Sequence, residues 1–297
     1  MLAAVLLPLV VISLGLVTPE PADAARGGRM GGGSFRVPSM PRSRSYSGGG
    51  YGGGYRGGGF GFPFIIPIFG FGGGGLFGLL ILMAVAGVLM NAFRGGGSSP
   101  ALGGGSPMPA VPSKVNMIQV QVGMLASAKS LQEDLRQLAA SSDTSSSSGL
   151  QRLLQESTLA LLRQPELWVY ANAESGSVPF SSAESTFNRL SMNERSKLDA
   201  ELTSNVGGQS ISGAAASVGD ADATNEFIVV TLLVASTATA SLKGAGTGED
   251  LRQTLRILGS TASSELMALE VIWQPEGRGD VLSSEELLTA YPNLQHL

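Results

Sequence analysis

The feature that most constrains this chain is the run over residues 76–93, LFGLLILMAVAGVLMNAF, in which Asn91 is the one polar side chain. Eighteen helical residues reach about 27 Å, close to the hydrocarbon thickness of a bilayer. A helix apolar on every side belongs in lipid or deep inside protein. Glycine runs at 72–75 and 95–97 bracket the segment and uncouple it from its neighbours. The sequence therefore predicts a membrane span over 76–93 rather than a core helix. Just upstream, FGFPFIIPIFGF carries Pro63 and Pro67, which break helical hydrogen bonding. That stretch reads as an aromatic, interfacial or re-entrant approach, so the membrane segment as a whole covers 60–94.

Glycine and charge divide the rest of the chain. Residues 27–105 hold 28 of the 42 glycines, the composition of a low-complexity segment rather than a packed core. Seven arginines and two acids precede residue 114, a balance of +5. From Lys114 onward there are 12 Lys or Arg and 21 Asp or Glu, a balance of −9. Such a split suggests two compartments or two partners. Cysteine is absent, which excludes disulfides, thiolate metal sites and thiol catalysis.

The first 24 residues read as a signal peptide or a first membrane helix. An apolar run ends in Ala22-Asp23-Ala24, a small-x-small cleavage pattern, yet no Lys or Arg precedes Arg26. Residues 25–59 form a Gly/Arg-rich tail with too few large aliphatic side chains to offset chain entropy, so disorder is expected. Its arginines, interleaved with Tyr46, Tyr51 and Tyr55, resemble a nucleic-acid-binding tail in composition. A cationic linker attracted to anionic lipid head groups is the preferred reading, and no nucleic acid is expected. Residues 95–113 are a Gly/Pro/Ser linker.

Residues 114–297 have the composition of a soluble domain long enough to bury its own core. Residues 115–125 alternate Ile118, Val120 and Val122 with Gln119 and Gln121, a half-buried strand. Further strands are predicted at 167–173, 227–235 and 266–273. Helical spacing marks 125–139, 150–162, 182–190, 192–206 and 249–258, with a last short helix from Ser283. Ser191 with Glu194, and Ser283 with Glu286, have the spacing of capping boxes. The pattern predicts an α+β fold: a roughly four-stranded sheet packed by helices.

No catalytic, cofactor-binding or metal-binding residue is assigned. Gly244, Gly246 and Gly248 precede a helix where a phosphate loop would sit, but Glu249 replaces the third glycine and no Gly-Lys-Ser/Thr follows. The one histidine, His296, is next to the C-terminus. The acidic pairs Glu133–Asp134, Asp220/Asp222, Glu249–Asp250 and Glu285–Glu286 read as solvated faces or helix starts. Glu194 with Lys197, and Arg195 with Asp199, read as surface ion pairs. Trp168 with Tyr170, and Trp273 with Pro275, read as core and sheet-end packing. Carboxylates brought together from distant positions stay open as general acid and base.

Several segments together carry a resemblance: LASAKSLQEDLRQLAASSDTSSSSGLQRLLQESTLALLRQPELWVYA, NERSKLDAELTSNVGG, FIVVTLLVA, ALEVIWQPEGRGDVLSSEELLTAYPNL and the leader ARGGRMGGGSFR. The chain resembles the domain of unknown function 1517 family of cyanobacteria and plastids. The resemblance implies association with plastid membranes and with control of the proton gradient and photoprotective quenching when light varies. The expected protein is a single-pass, non-enzymatic membrane protein with an acidic regulatory domain. It would sit in the thylakoid or plasma membrane of a cyanobacterium, or in a plastid membrane. Its expected partners are the lipid bilayer and another membrane protein, with no small-molecule substrate identified. The alternative is a membrane-tethered enzyme using carboxylates assembled by the fold. The side of the membrane holding residues 114–297 is left open.

Overall fold

The computed structural model describes residues 25–35, 75–94, 112–212, 226–239, 242, 244–277 and 280–297. The expected signal, the aromatic approach over 60–71 and the linker, up to residue 111, lie outside them.

The described residues form a three-layer α+β sandwich around one mixed sheet. The four predicted strands are adjacent in its centre: β7 (Leu266–Gln274), β6 (Glu226–Ser236), β2 (Lys114–Leu125) and β3 (Trp168–Pro179), all antiparallel. Five more strands correct the expected four to nine. β1 (Gly27–Gly33), β4 (Glu201–Val206) and β5 (Gln209–Ser212) extend the β7 edge, giving the order β5-β4-β1-β7-β6-β2-β3-β9. β9 (Gln295–His296) closes the β3 edge, and β8 (Leu282–Ser283) pairs with β6.

β1 overturns the expected disorder of residues 25–59 for its own seven residues. It runs parallel to β4 and antiparallel to β7, and Met30 is fully buried. Glycine is required here by close approach rather than by flexibility. A Cβ on Gly28 would lie 2.0 Å from the Trp273 ring, and one on Gly31 2.1 Å from the Leu269 carbonyl oxygen. The composition that looked like a disordered tail is what lets a strand pass under a tryptophan.

One face of the sheet carries α2 (Lys129–Ser141), α3 (Ser147–Leu162) and α5 (Gly248–Gly259) over the largest core. Alternate residues of the central strands supply it, including Val120, Val122, Val230, Leu232, Leu269 and Val271. The Ser-rich break before α3 is a built turn. Asp143 accepts from the Ser145 amide at 2.9 Å, and Ser146 caps α3. Buried Thr144 donates to Asn205 of β4 at 2.7 Å.

The other face carries α1 (Gly75–Arg94), α4 (Phe180–Arg195) and α6 (Ser284–Ala290). α4 is one helix where the sequence predicted two over 182–206. Ser191 and Glu194 lie in its last turns and do not cap a second helix, and the remainder of that stretch becomes β4. The Ser283 and Glu286 capping box is formed as expected.

Among the described residues, no helix is long and apolar enough to cross a membrane. The span expected over 76–93 is thus not found; within α1 the described side chains end at Met90. The glycine-flanked segment does not stand apart from the domain. Phe77, Leu80, Ile81 and Ala84 form a stripe at helical spacing that packs on β3 and α4, against Val178, Ala183 and Phe187.

Candidate functional site

The face of the sheet beneath α4 holds two separate apolar clusters. One gathers Met117, Val178, Phe187 and Leu233; the other gathers Phe227, Val229, Leu287 and Tyr291. Between them lies a polar belt, written directly by strand register. Glu174 of β3 pairs with Gln119 of β2, Gln119 with Leu233 of β6, and Leu233 with Glu270 of β7. One pleat along, Asn172, Gln121, Thr231, Ile272 and Arg29 form a second row. Alternation places both rows on the same side of the sheet.

Glu194, near the end of α4, points into this belt and is 1% exposed. It accepts hydrogen bonds from Gln119 Nε2 at 2.8 Å, Gln121 Nε2 at 3.0 Å and Thr231 Oγ1 at 3.1 Å. Lys197 Nζ lies 2.7 Å from the same carboxylate and 4.1 Å from the centre of the Tyr291 ring. The expected Glu194–Lys197 pair therefore exists, but it is the hub of a buried network rather than a surface contact. Such a carboxylate is stabilised only while its donors stay in place.

Arg29 of β1 extends the belt. Its Nε donates to Glu270 at 2.8 Å, and Nη1 lies 3.4 Å from Glu201. Arg195 also pairs with Glu201 rather than with Asp199. The second carboxylate oxygen of Glu270 is buried with no hydrogen-bond partner. Burial pushes the Glu174 carboxyl above its ordinary value of 4.5, and the nearby Glu194 charge adds to the effect; Asn172 and Lys197 oppose it. Burial also holds the Tyr291 hydroxyl well above its ordinary value, reinforced by Glu194 and opposed by a hydrogen bond with Thr231.

A further buried glutamate, Glu276, ties the sheet to α2 on the far side. It accepts from Trp273 Nε1 at 2.6 Å and pairs with Arg136 Nε at 3.2 Å, and Thr203 of β4 donates to it. Trp273 is fully buried, as its sheet-end reading implied, and Trp168 donates its indole N–H to the Leu161 carbonyl oxygen at 3.2 Å.

The other residues weighed in the sequence do not converge. Glu249 and Asp250 open α5, whose cap is Thr247, and Glu249 pairs with Arg252. Gly244 offers its carbonyl oxygen to Thr254 instead of an amide to a phosphate. Glu133 pairs with Arg136 and Asp134 with Arg163 on the surface. Glu285 and Glu286 open α6. His296 is exposed, edge-on to Tyr170 with ring centroids 5.4 Å apart. Asp220 and Asp222 lie outside the described residues. Among the described residues, no group of three or more His, Asp or Glu is placed to hold a metal ion.

Sequence reasoning missed Gln119, Gln121, Glu174 and Glu270 as members of one site. The alternation over 115–125 placed the two glutamines on a wet face; in fact β2 is central, and both of its faces are covered. The one available signal was four polar residues, Gln119, Gln121, Thr231 and Glu270, each inside a largely apolar strand.

Fold and belt together define, for the described residues, an α/β/α sandwich with a single mixed sheet and a charged network centred on a carboxylate, Glu194, buried beneath one helix. The chain belongs to the family described as "Protein of unknown function (DUF1517)", whose model matches residues 114–297. It is 45% identical over 289 residues to "Protein FLAP1 homolog A" of Synechocystis, covering 92% of this chain and 86% of that protein. It is 37% identical over 316 residues to "FLUCTUATING-LIGHT-ACCLIMATION protein 1, chloroplastic" of Arabidopsis thaliana, covering 100% of this chain and 78% of that protein. No solved structure matches it.

Proposed function

We propose that this chain is a membrane-attached, non-enzymatic regulator of photosynthetic acclimation to changing light, acting on the proton gradient and photoprotection. Its place is a photosynthetic membrane, the thylakoid or plasma membrane of a cyanobacterium or a plastid membrane. The observation that carries the role is similarity along the whole chain: the plant protein whose name states light acclimation aligns with all of it. The apolar outer side of α1 supports attachment to lipid. The state of Glu194 supports a regulatory rather than catalytic domain, because its carboxylate is already occupied by four donors of the protein itself. The proposed target is another membrane protein, met by the acidic surface of residues 114–297.

One observation favours the alternative, a membrane-tethered enzyme: Glu174 and Glu194 are near enough for the charge of one to raise the other. Replacing the Synechocystis relative with this chain separates the two. The chain should restore the quenching response to stepped light, and Glu174→Gln should restore it equally well. Failure of the unaltered chain refutes the light-acclimation role, while loss with Glu174→Gln alone favours the enzyme.

A further inference from the structure

The order of the sheet restricts how this chain can meet a bilayer. β1 precedes α1 in the chain and β2 follows it, yet both belong to one sheet, with β1 wedged between β7 and β4. Phe35, α1 and β2 all pack in this one domain. A single crossing between β1 and β2 would put β1 on one side of the membrane and its two partner strands on the other.

α1 also has two unlike sides. The inner side is seated on the domain: Phe77 and Ala84 are each 5% exposed, and Ile81 lies against Gly176, where an added Cβ would meet it at 3.0 Å. The outer side carries Leu76, Leu79, Leu82, Met83, Leu89 and Met90, from 40% to 66% exposed. At about 100° per residue these six fall on one arc opposite Phe77, Ile81 and Ala84. No polar side chain occurs from Leu76 to Met90. A helix that served only to pack on α4 would be polar on its outer side.

We infer that α1 lies in the plane of a lipid leaflet, its outer row in the acyl boundary, and that β1 and residues 114–297 are both on one side of that membrane. The inference rests on the membrane attachment proposed above and specifies its geometry. Lipid is the occupant because the outer row holds no polar side chain from Leu76 to Met90, and because arginines flank it in sequence. Arg36, Arg42, Arg44 and Arg56 precede it and Arg94 follows, a sign that suits anionic head groups.

The absence of cysteine makes the test clean. Ser34→Cys and Ser210→Cys place one thiol each on β1's side and on β5, and both positions are exposed. In sealed inverted vesicles from cells expressing the full chain, a membrane-impermeant maleimide should label both or neither. Labelling of one only after permeabilisation would overturn the inference while leaving membrane attachment intact. In flotation with vesicles of phosphatidylcholine and phosphatidylglycerol, the Leu82→Glu/Leu89→Glu double variant should float at least tenfold less than the unaltered chain. Ile211→Glu, equally exposed but on β5, should float unchanged. Flotation of the double variant at the unaltered level would refute the lipid contact, and loss of a dimer in its place would assign the face to a second copy. Failure of the unaltered chain to float would instead refute membrane attachment itself.

Discussion

Gly28→Val is the sharpest test of β1 as a structural strand. The new Cβ would lie 2.0 to 2.6 Å from three atoms of the Trp273 ring. That ring is fully buried, and its N–H donates to Glu276, so it has nowhere to move without leaving its carboxylate partner. Overpacking a core costs about 1–3 kcal/mol. Loss of a hydrogen bond to a charged group adds about 1.5–3 kcal/mol. A total of about 2.5–6 kcal/mol, at a urea slope of about 2 kcal/mol/M, lowers the unfolding midpoint by about 1.3–3 M. Tryptophan fluorescence during urea titration of the full chain reads this directly, since Trp273 is one of two tryptophans. The control is Gly246→Ala, where an added Cβ meets nothing within 4 Å and the midpoint should hold or rise slightly. If Gly28→Val unfolds at the midpoint of the unaltered chain, β1 is not seated beneath Trp273, and residues 25–35 are no part of the sheet.

Three other outcomes follow from the belt and the caps. Glu194→Ala strands the donors of Gln119, Gln121 and Thr231 and leaves Lys197 unpaired; it should destabilise by about 3–5 kcal/mol in denaturant titration. A loss below about 1 kcal/mol would mean that the belt is open to water. Glu174 binds its proton more tightly folded than unfolded, so its ionisation opposes folding as pH rises from 4.5 through the raised folded value. Glu174→Gln should therefore raise the melting temperature at neutral pH, with the gain vanishing below pH 4.5; a pH-independent difference would count against the burial argument. Ser283→Ala removes one half of the capping box that opens α6 and should cost about 1 kcal/mol, seen as faster amide exchange over Ser284–Ala290.

Much of the fold was legible because period and hydrophobicity act locally. The four central strands and the cores of α2, α3 and α5 follow from side-chain alternation or helical spacing alone. The α6 cap follows from Ser283 and Glu286, which interact across one turn. The errors came where a distant partner decided the outcome. The stretch 196–206 has helical spacing yet begins a turn and then β4, because β1 and β5 offer hydrogen bonds on both sides of it. The candidate site was illegible for the same reason: Gln119, Thr231, Glu270 and Glu174 are neighbours only through register across four strands.

The sequence by itself determined the α+β class and the place of the four central strands within residues 114–297. It also identified the family, through segments spread along the chain. Tertiary structure alone decided what the glycines and the apolar run are for. Glycine in 27–33 reads as chain entropy when seen locally and as space for Trp273 once β7 lies beside it. The helix over 75–94 reads as uniformly apolar until α4 and β3 cover Phe77, Ile81 and Ala84 and leave Leu82 and Leu89 outside. A local pattern fixes what a segment tends to form, whereas burial is a property of its neighbours, and here those neighbours lie up to some 240 residues away in sequence, as Arg29 does from Glu270.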